Sequence, residues 1–365
     1  MDDTEMSVPP DGEEPAVATS RRRWPWVVGA LAAVLVAAML FIPLPFVLFE
    51  PGNARSTQSR VDVTGHQAFD SKGAILFLTV SEERATMATL LRSWIDDTID
   101  VQDEDVVYPP GGRDADLAIN QARMDESKYL ATSLAFKAVG YPVIEVGSGA
   151  FIEQLLPGYP AAAVLKQGEV ITSVDGAPVR TRSDLTTALR AKPIGQTVAL
   201  GVRGRGKKGP AGRTVSVELG RNPKDESHGF LGILPTTAER DLDLPFPIEI
   251  DSGAVTGPSA GLAFTLGVID RLTPGDLAGG RKIAVTGTID EEGRVGPIGG
   301  IAQKAVALKD EGAVMFLYPA DTPAKEVARV KRILGTGIEL HPVSTLKGAL
   351  AILAPHGLEP APPLT

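Results

Sequence analysis

Thr256-Gly257-Pro258-Ser259-Ala260-Gly261 joins a short segment that reads as a strand, Phe246–Ile250, to an uncharged run that reads as a helix, Leu262–Ile269. Glycine is needed where main chain passes close to a substrate, and the first turn of a helix points unsatisfied N–H groups at the same spot. Ser259 therefore sits beside a ready anion site. Further along, Pro297-Ile298-Gly299-Gly300-Ile301-Ala302-Gln303-Lys304 opens a second helix. On a helical wheel Lys304 lies about 40° from Leu308 and about 60° from Ile301, at the border of the apolar stripe. Burial there disfavours an ammonium ion, so the pKa falls, which is what a lysine needs to act as general base on a serine hydroxyl. Alone, Ser259 reads as a helix cap and Lys304 as a snorkelling surface residue. Together in one chain they point to serine chemistry.

The two phrases resemble the proteolytic domain of Lon proteases, and Gly293-Arg294-Val295-Gly296 leading into the second phrase continues the match. The resemblance implies Ser259 as nucleophile, Lys304 as base, and Thr286, in Val285-Thr286-Gly287, as the hydroxyl that orients the lysine. It implies an oxyanion held by main-chain N–H groups of Gly257, Ser259 and Ala260. Thr256 stands where many members carry an acid. Gly73–Thr79 looks like an early strand of the same domain, and Asp125-Glu126-Ser127 like the helix that precedes the serine strand. The nucleotide-driven half of Lon has no counterpart. Gly201–Lys207 satisfies GxxxxGK, but Lys208 stands where a hydroxyl is required and no helix follows, so the segment reads as a basic turn. Ile250-Asp251-Ser252-Gly253-Ala254 mimics an aspartic-protease phrase, yet no second such phrase supplies the partner carboxylate.

Between Gly140 and about Asn222 the chain changes to short strands with one helix near Ser183–Arg190. Leu156-Pro157-Gly158-Tyr159-Pro160-Ala161-Ala162, then Gly168–Gly176, resemble the bacterial PDZ domain, and Asp184–Leu189 resembles its groove helix. What this implies is a groove that accepts extended peptide segments or C-termini by strand addition. Its expected walls are Gly149, Ala150, Phe151 and Ile152 on the strand, and Leu185 and Leu189 on the helix.

Composition narrows the rest. The chain of 365 residues carries a formal charge of −9, against nucleic-acid binding, and no cysteine, which removes disulfides and thiolate zinc sites. Its four histidines, His66, His228, His341 and His356, show no metal-ligand spacing and none lies beside a serine motif. No metal and no cofactor is expected. Residues 1–23 read as a disordered cytoplasmic tail. Arg21, Arg22 and Arg23 precede an uncharged run, residues 24–49, that exceeds the roughly 20 residues needed to cross a bilayer, which orients the remainder outside the cytoplasm.

The expected fold is α+β: residues 24–49 a transmembrane helix, 50–140 and 223–355 a split Lon-type proteolytic domain, 141–222 an inserted PDZ-like module, 356–365 a tail. The expected function is ATP-independent Ser-Lys hydrolysis of peptide bonds in unfolded or short extracytoplasmic polypeptides at the cell membrane, in a homo-oligomeric ring that the resemblance implies. The rival from another class is a membrane-tethered PDZ adaptor with an inactive protease domain; a processing protease for one signalling peptide shares the chemistry.

Overall fold

The computed structural model describes residues 24–108, 112–204, 212–222, 225–309, 311–355 and 358–364. The tail reading for residues 1–23, and the last part of the basic turn from Arg205 to Lys208, fall outside the described residues. Along the chain lie α1 (Trp24–Phe41), β1 (Pro43–Ser56), β2 (Val61–Val63), β3 (Ala74–Thr86), α2 (Met87–Ser93), β4 (Asp100–Asp103), α3 (Glu104–Val107) and α4 (Gly112–Ala138). A β-rich stretch follows: β5 (Ile144–Val146), β6 (Ala150–Leu155), α5 (Ala161–Val164), β7 (Val170–Val174), β8 (Ala177–Pro178), α6 (Arg182–Arg190), β9 (Thr197–Arg203), β10 (Arg213–Glu218), β11 (Gly220–Asn222), β12 (Asp225–Phe230) and β13 (Ile233–Thr237). The remainder is β14 (Asp241–Asp243), β15 (Ile248–Ile250), α7 (Gly261–Leu272), β16 (Lys282–Val285), β17 (Thr288–Ile289), β18 (Val295–Gly296), α8 (Ile301–Lys309), β19 (Met315–Pro319), α9 (Ala324–Leu334), β20 (Glu339–Val343) and α10 (Leu346–Leu353).

The elements fall into two compact units. The smaller holds α1, the outer ends of β1 and β3, α2, β4 and α3 around a core of Leu48, Ala85 and Ile99. Its α1 has a mean hydropathy of 2.1 and no buried residue. By length and composition it suits a membrane anchor or a signal sequence. The helix expected to run through residue 49 ends at Phe41, because Pro43 and Pro45 lack the N–H that would continue the ladder, and the chain leaves as β1. Eighteen residues still rise about 27 Å, close to the thickness of a hydrocarbon core.

In the larger unit a sheet runs β20-β19-β16-β3-β1, with β20, β19, β16 and β3 parallel. The central strands β3, β16 and β19 are largely buried and apolar on both faces, as a sheet covered on two sides requires. Ile75 and Phe77 of β3, Ile283 and Val285 of β16 and Leu317 of β19 face a core shared with α4, α7 and α10. Alternate residues Leu76, Leu78, Ala284 and Phe316 face a second core with α8 and α9. Strand β2 pairs with β15, while β3 lies between β16 and β1. Helix α4 begins at Gly112, and its buried C-terminal half packs along α7.

The β-rich module has its own core, built on Ile152, Ile171, Leu185, Leu200, Leu219 and Leu231. Its sheet runs β10-β9-β7-β6-β13. The module therefore takes in β13, beyond the expected end at residue 222. The entry strand β5 pairs antiparallel with the exit strand β14, so the insertion leaves beside where it entered.

Candidate active site

The carboxyl end of β16 gathers the three predicted side chains. Thr286 follows the strand directly and its N–H donates to Leu317 O at 3.0 Å. Gly287, at φ 155°, has no room for a side chain: a Cβ would meet Val295 Cγ1 at 2.6 Å. It brings the backbone against the serine turn, its N–H donating to Ser259 O at 2.9 Å while its own carbonyl accepts from Leu262 N at 3.1 Å. Gly261 at the start of α7 is equally confined, since a Cβ would lie 2.8 Å from Ser127 Oγ.

Lys304 reaches this point from the first turn of α8, on a helix whose residues Ile301, Ala302, Gln303, Ala305 and Leu308 are also buried. Its Nζ lies 2.8 Å from Ser259 Oγ and 3.1 Å from Thr286 Oγ1. Lys304 is 2% exposed and Thr286 fully buried, whereas Ser259 is half-buried. Burial pulls the Lys304 ammonium down to about 7. Thr286 decides where the amine points. Its hydroxyl donates to Ser259 O at 3.2 Å, so its lone pairs face Nζ and accept an N–H from it. A neutral amine held this way has a lone pair that can accept the Ser259 hydroxyl proton.

The anticipated oxyanion donors divide. Gly257, in the left-handed region at φ 86°, gives its N–H to Asn120 O at 3.0 Å. This engagement by α4 removes Gly257 from the expected set. Ser259 and Ala260 sit in the helical turn Pro258–Ala260, whose leading N–H groups point out along the axis. Sequence reasoning assigned no role to Asn120 or to Ser127, whose hydroxyl donates to Pro258 O at 3.3 Å. Neither carries a local pattern, because both act across a helix packing that joins positions more than 130 residues apart.

The peptide-groove expectation needs a correction. Strand β6, with Ala150, Phe151 and Ile152, is internal: Ala150 faces Ile171 on one side and Thr237 on the other. Gly149 is also occupied, its N–H bonded to Arg180 O and its carbonyl to Ala238 N. A strand with both edges paired cannot accept a peptide. The open edge beyond β6 is β13, where Pro235 has no N–H to offer and Leu234 is 46% exposed. Leu185 and Leu189 anchor α6 in the module's core. The first N–H of α6, from Arg182, donates to Thr237 Oγ1 at 3.1 Å, seating the helix beside the end of β13.

Other motifs resolve into structure. Asp251 accepts from Gly253 N and pairs with Arg60 at 2.8 Å; these bonds, Gly253 first, hold its carboxyl below the usual range, so it is not half of a proton-sharing pair. His66 stacks on Phe246 at 4.1 Å and meets Tyr141 Oη at 2.8 Å. Among the described residues no three His, Cys, Asp or Glu side chains gather as a metal site.

Residues 240–354 match the Lon protease (S16) C-terminal proteolytic domain, and residues 132–203 match the PDZ domain. The Lon protease of Azospirillum brasilense is 35% identical over 132 residues, covering 35% of this chain and 15% of that protein. The Lon protease of Koribacter versatilis is 28% identical over 206 residues, covering 51% and 25%. The periplasmic serine endoprotease DegP of Escherichia coli is 32% identical over 117 residues, covering 31% and 24%. The chain thus spans between 15% and 25% of the length of these curated relatives.

Proposed function

We propose that this chain, which carries a Lon-type proteolytic domain and a PDZ domain, is a serine endopeptidase that works with a Ser259-Lys304 dyad and without nucleotide. The observation that carries the reading is the buried Lys304 amine, 2.8 Å from Ser259 Oγ with Thr286 turning its lone pair toward that hydroxyl. Ser259 Oγ attacks the scissile carbonyl as its proton passes to Lys304 Nζ. The tetrahedral oxyanion is held by main-chain N–H groups of Ser259 and Ala260, where one donor is worth about 3 kcal/mol. Collapse breaks the C–N bond, and Lys304 returns the proton to the leaving amine. Water then attacks the acyl-enzyme, giving its proton to Lys304, and Ser259 is released with its hydroxyl restored.

The substrates proposed are unfolded or short polypeptides outside the cytoplasm. Half-burial of Ser259 admits an extended main chain, and α1 with the preceding arginines supports a single-pass anchor. Ring assembly follows the resemblance to Lon and is measured by native mass spectrometry of the detergent-solubilised protein. The test of the chemistry compares full-length wild type, Ser259→Ala and Lys304→Ala in detergent on unfolded casein with no ATP. Cleavage by the wild type and loss in both variants is the expected result. Three inert proteins that still bind peptides would instead identify a tethered PDZ adaptor.

A further inference from the structure

One guanidinium ties the peptide edge of the PDZ domain to the elements that hold the serine turn. Three residues past β13, Arg240 donates through Nη1 to Glu126 of α4 at 2.5 Å, through Nε to Glu145 of β5 at 3.1 Å, and through Nη2 to Glu291, in the turn between β17 and β18, at 2.5 Å. Its side chain is 16% exposed and lies over the Tyr129 ring, 4.7 Å from the centroid. Exposed ion pairs contribute little singly. Here one rigid fork satisfies three carboxylates from three elements that would otherwise repel, a geometry that a lysine's point charge does not reproduce.

The contacts continue in both directions. On the PDZ side Glu145 Oε1 also accepts from Thr237 Oγ1 at 3.0 Å, and Thr237 Oγ1 accepts from the N–H of Arg182, the first residue of the groove helix. On the catalytic side Glu126 precedes Ser127, whose hydroxyl donates to Pro258 O. Glu291 lies in the hairpin that starts at Gly287, whose N–H donates to Ser259 O. From the end of β13 to Pro258 every link is a hydrogen bond or one covalently adjacent residue, and on the other side the path to Ser259 runs along the hairpin from Glu291 back to Gly287.

We infer that Arg240 is a positioning residue: it couples the peptide-accepting edge, through Thr237 and Arg182, to the placement of Ser259. The inference rests on the protease reading and assigns the PDZ domain a part in setting turnover, beyond recruitment. Physical continuity alone does not establish coupling, so the test is a double-mutant cycle. Full-length protein in detergent is followed by two measurements: the labelling rate of Ser259 by a fluorophosphonate probe, and kcat and KM on fluorescein-labelled casein. Arg240→Met is expected to lower labelling and kcat about tenfold while casein KM stays within about twofold, the signature of a group acting on the reacting geometry. Arg240→Lys recovers less than half of the loss, because it keeps the charge without the fork. Thr237→Val, which touches no catalytic side chain, lowers labelling about threefold, and the double variant is no slower than Arg240→Met alone.

Labelling of Thr237→Val at the wild-type rate overturns the coupling, and so does a double variant that shows the product of the two single effects. If Arg240→Met loses its fold by far-UV circular dichroism, the same cycle is run with Glu291→Gln, and the same two results decide. A wild type that neither labels nor cleaves overturns the protease reading and this inference with it; an active wild type with unaffected variants overturns only the inference.

Discussion

The titration of Lys304 is the sharpest consequence of the site. Burial places its pKa at about 7 instead of 10.5, and the proposed mechanism uses the neutral amine. A depressed lysine loses its proton as pH rises through the shifted value, so activity rises with pH. About a tenth of the molecules carry the neutral amine at pH 6, about half at pH 7 and about nine-tenths at pH 8. The logarithm of kcat/KM should therefore climb with unit slope below about pH 6.5, bend near 7 and level by about pH 8. With an ordinary lysine only about 3 molecules in 1,000 would be competent at pH 8, and the slope would continue unbent toward pH 10. The assay is initial rates on a fluorogenic peptide without ionisable side chains, at constant ionic strength from about pH 5.5 to about 9.5, the window over which a buried lysine and an ordinary one diverge. A slope still near one at pH 9, or a rate that falls as pH rises through 7, would refute the assignment of Lys304 as a buried base.

Three further outcomes follow from the same geometry. Between about pH 7 and 10.5 the folded protein binds fewer protons than the unfolded chain at Lys304, so that component of stability grows with pH. Lys304→Met removes it, and the variant's advantage in urea unfolding should be about 2 kcal/mol larger at pH 7 than at pH 9; an equal difference at both values would count against the buried-amine reading. Thr286→Val keeps the packing but loses the hydroxyl that turns the amine, and should lower kcat by about tenfold to a hundredfold with little change in KM. Unchanged kcat there would reassign Thr286 to structure. Leu234→Asp, on the open edge of β13, should raise the KM for casein severalfold, and an unmoved KM would place peptide capture elsewhere.

The split α+β organisation was legible because its signals are local. Glycines at fixed offsets, a serine at a helix start and a lysine at the edge of an apolar stripe each reflect a constraint within one turn or one strand. The end of α1 was half legible: Pro43 and Pro45 mark the break, although the uncharged run continues past them to Phe49. The peptide edge was not. Phe151 and Ile152 read as a groove strand because a strand's own residues say nothing about which neighbours pair with it, and β13, about 80 residues later, fills that edge. Gly257 looked like an oxyanion donor for the same reason, since Asn120 reaches it from α4 across 137 residues of chain. Residue types suited to serine chemistry, and the elements that carry them, could be read from local sequence. The desolvation of Lys304, the approach of Thr286 to within 3.1 Å of its amine and the joining of three elements by Arg240 were not legible, because burial, orientation and pairing depend on groups brought together from distant parts of the chain.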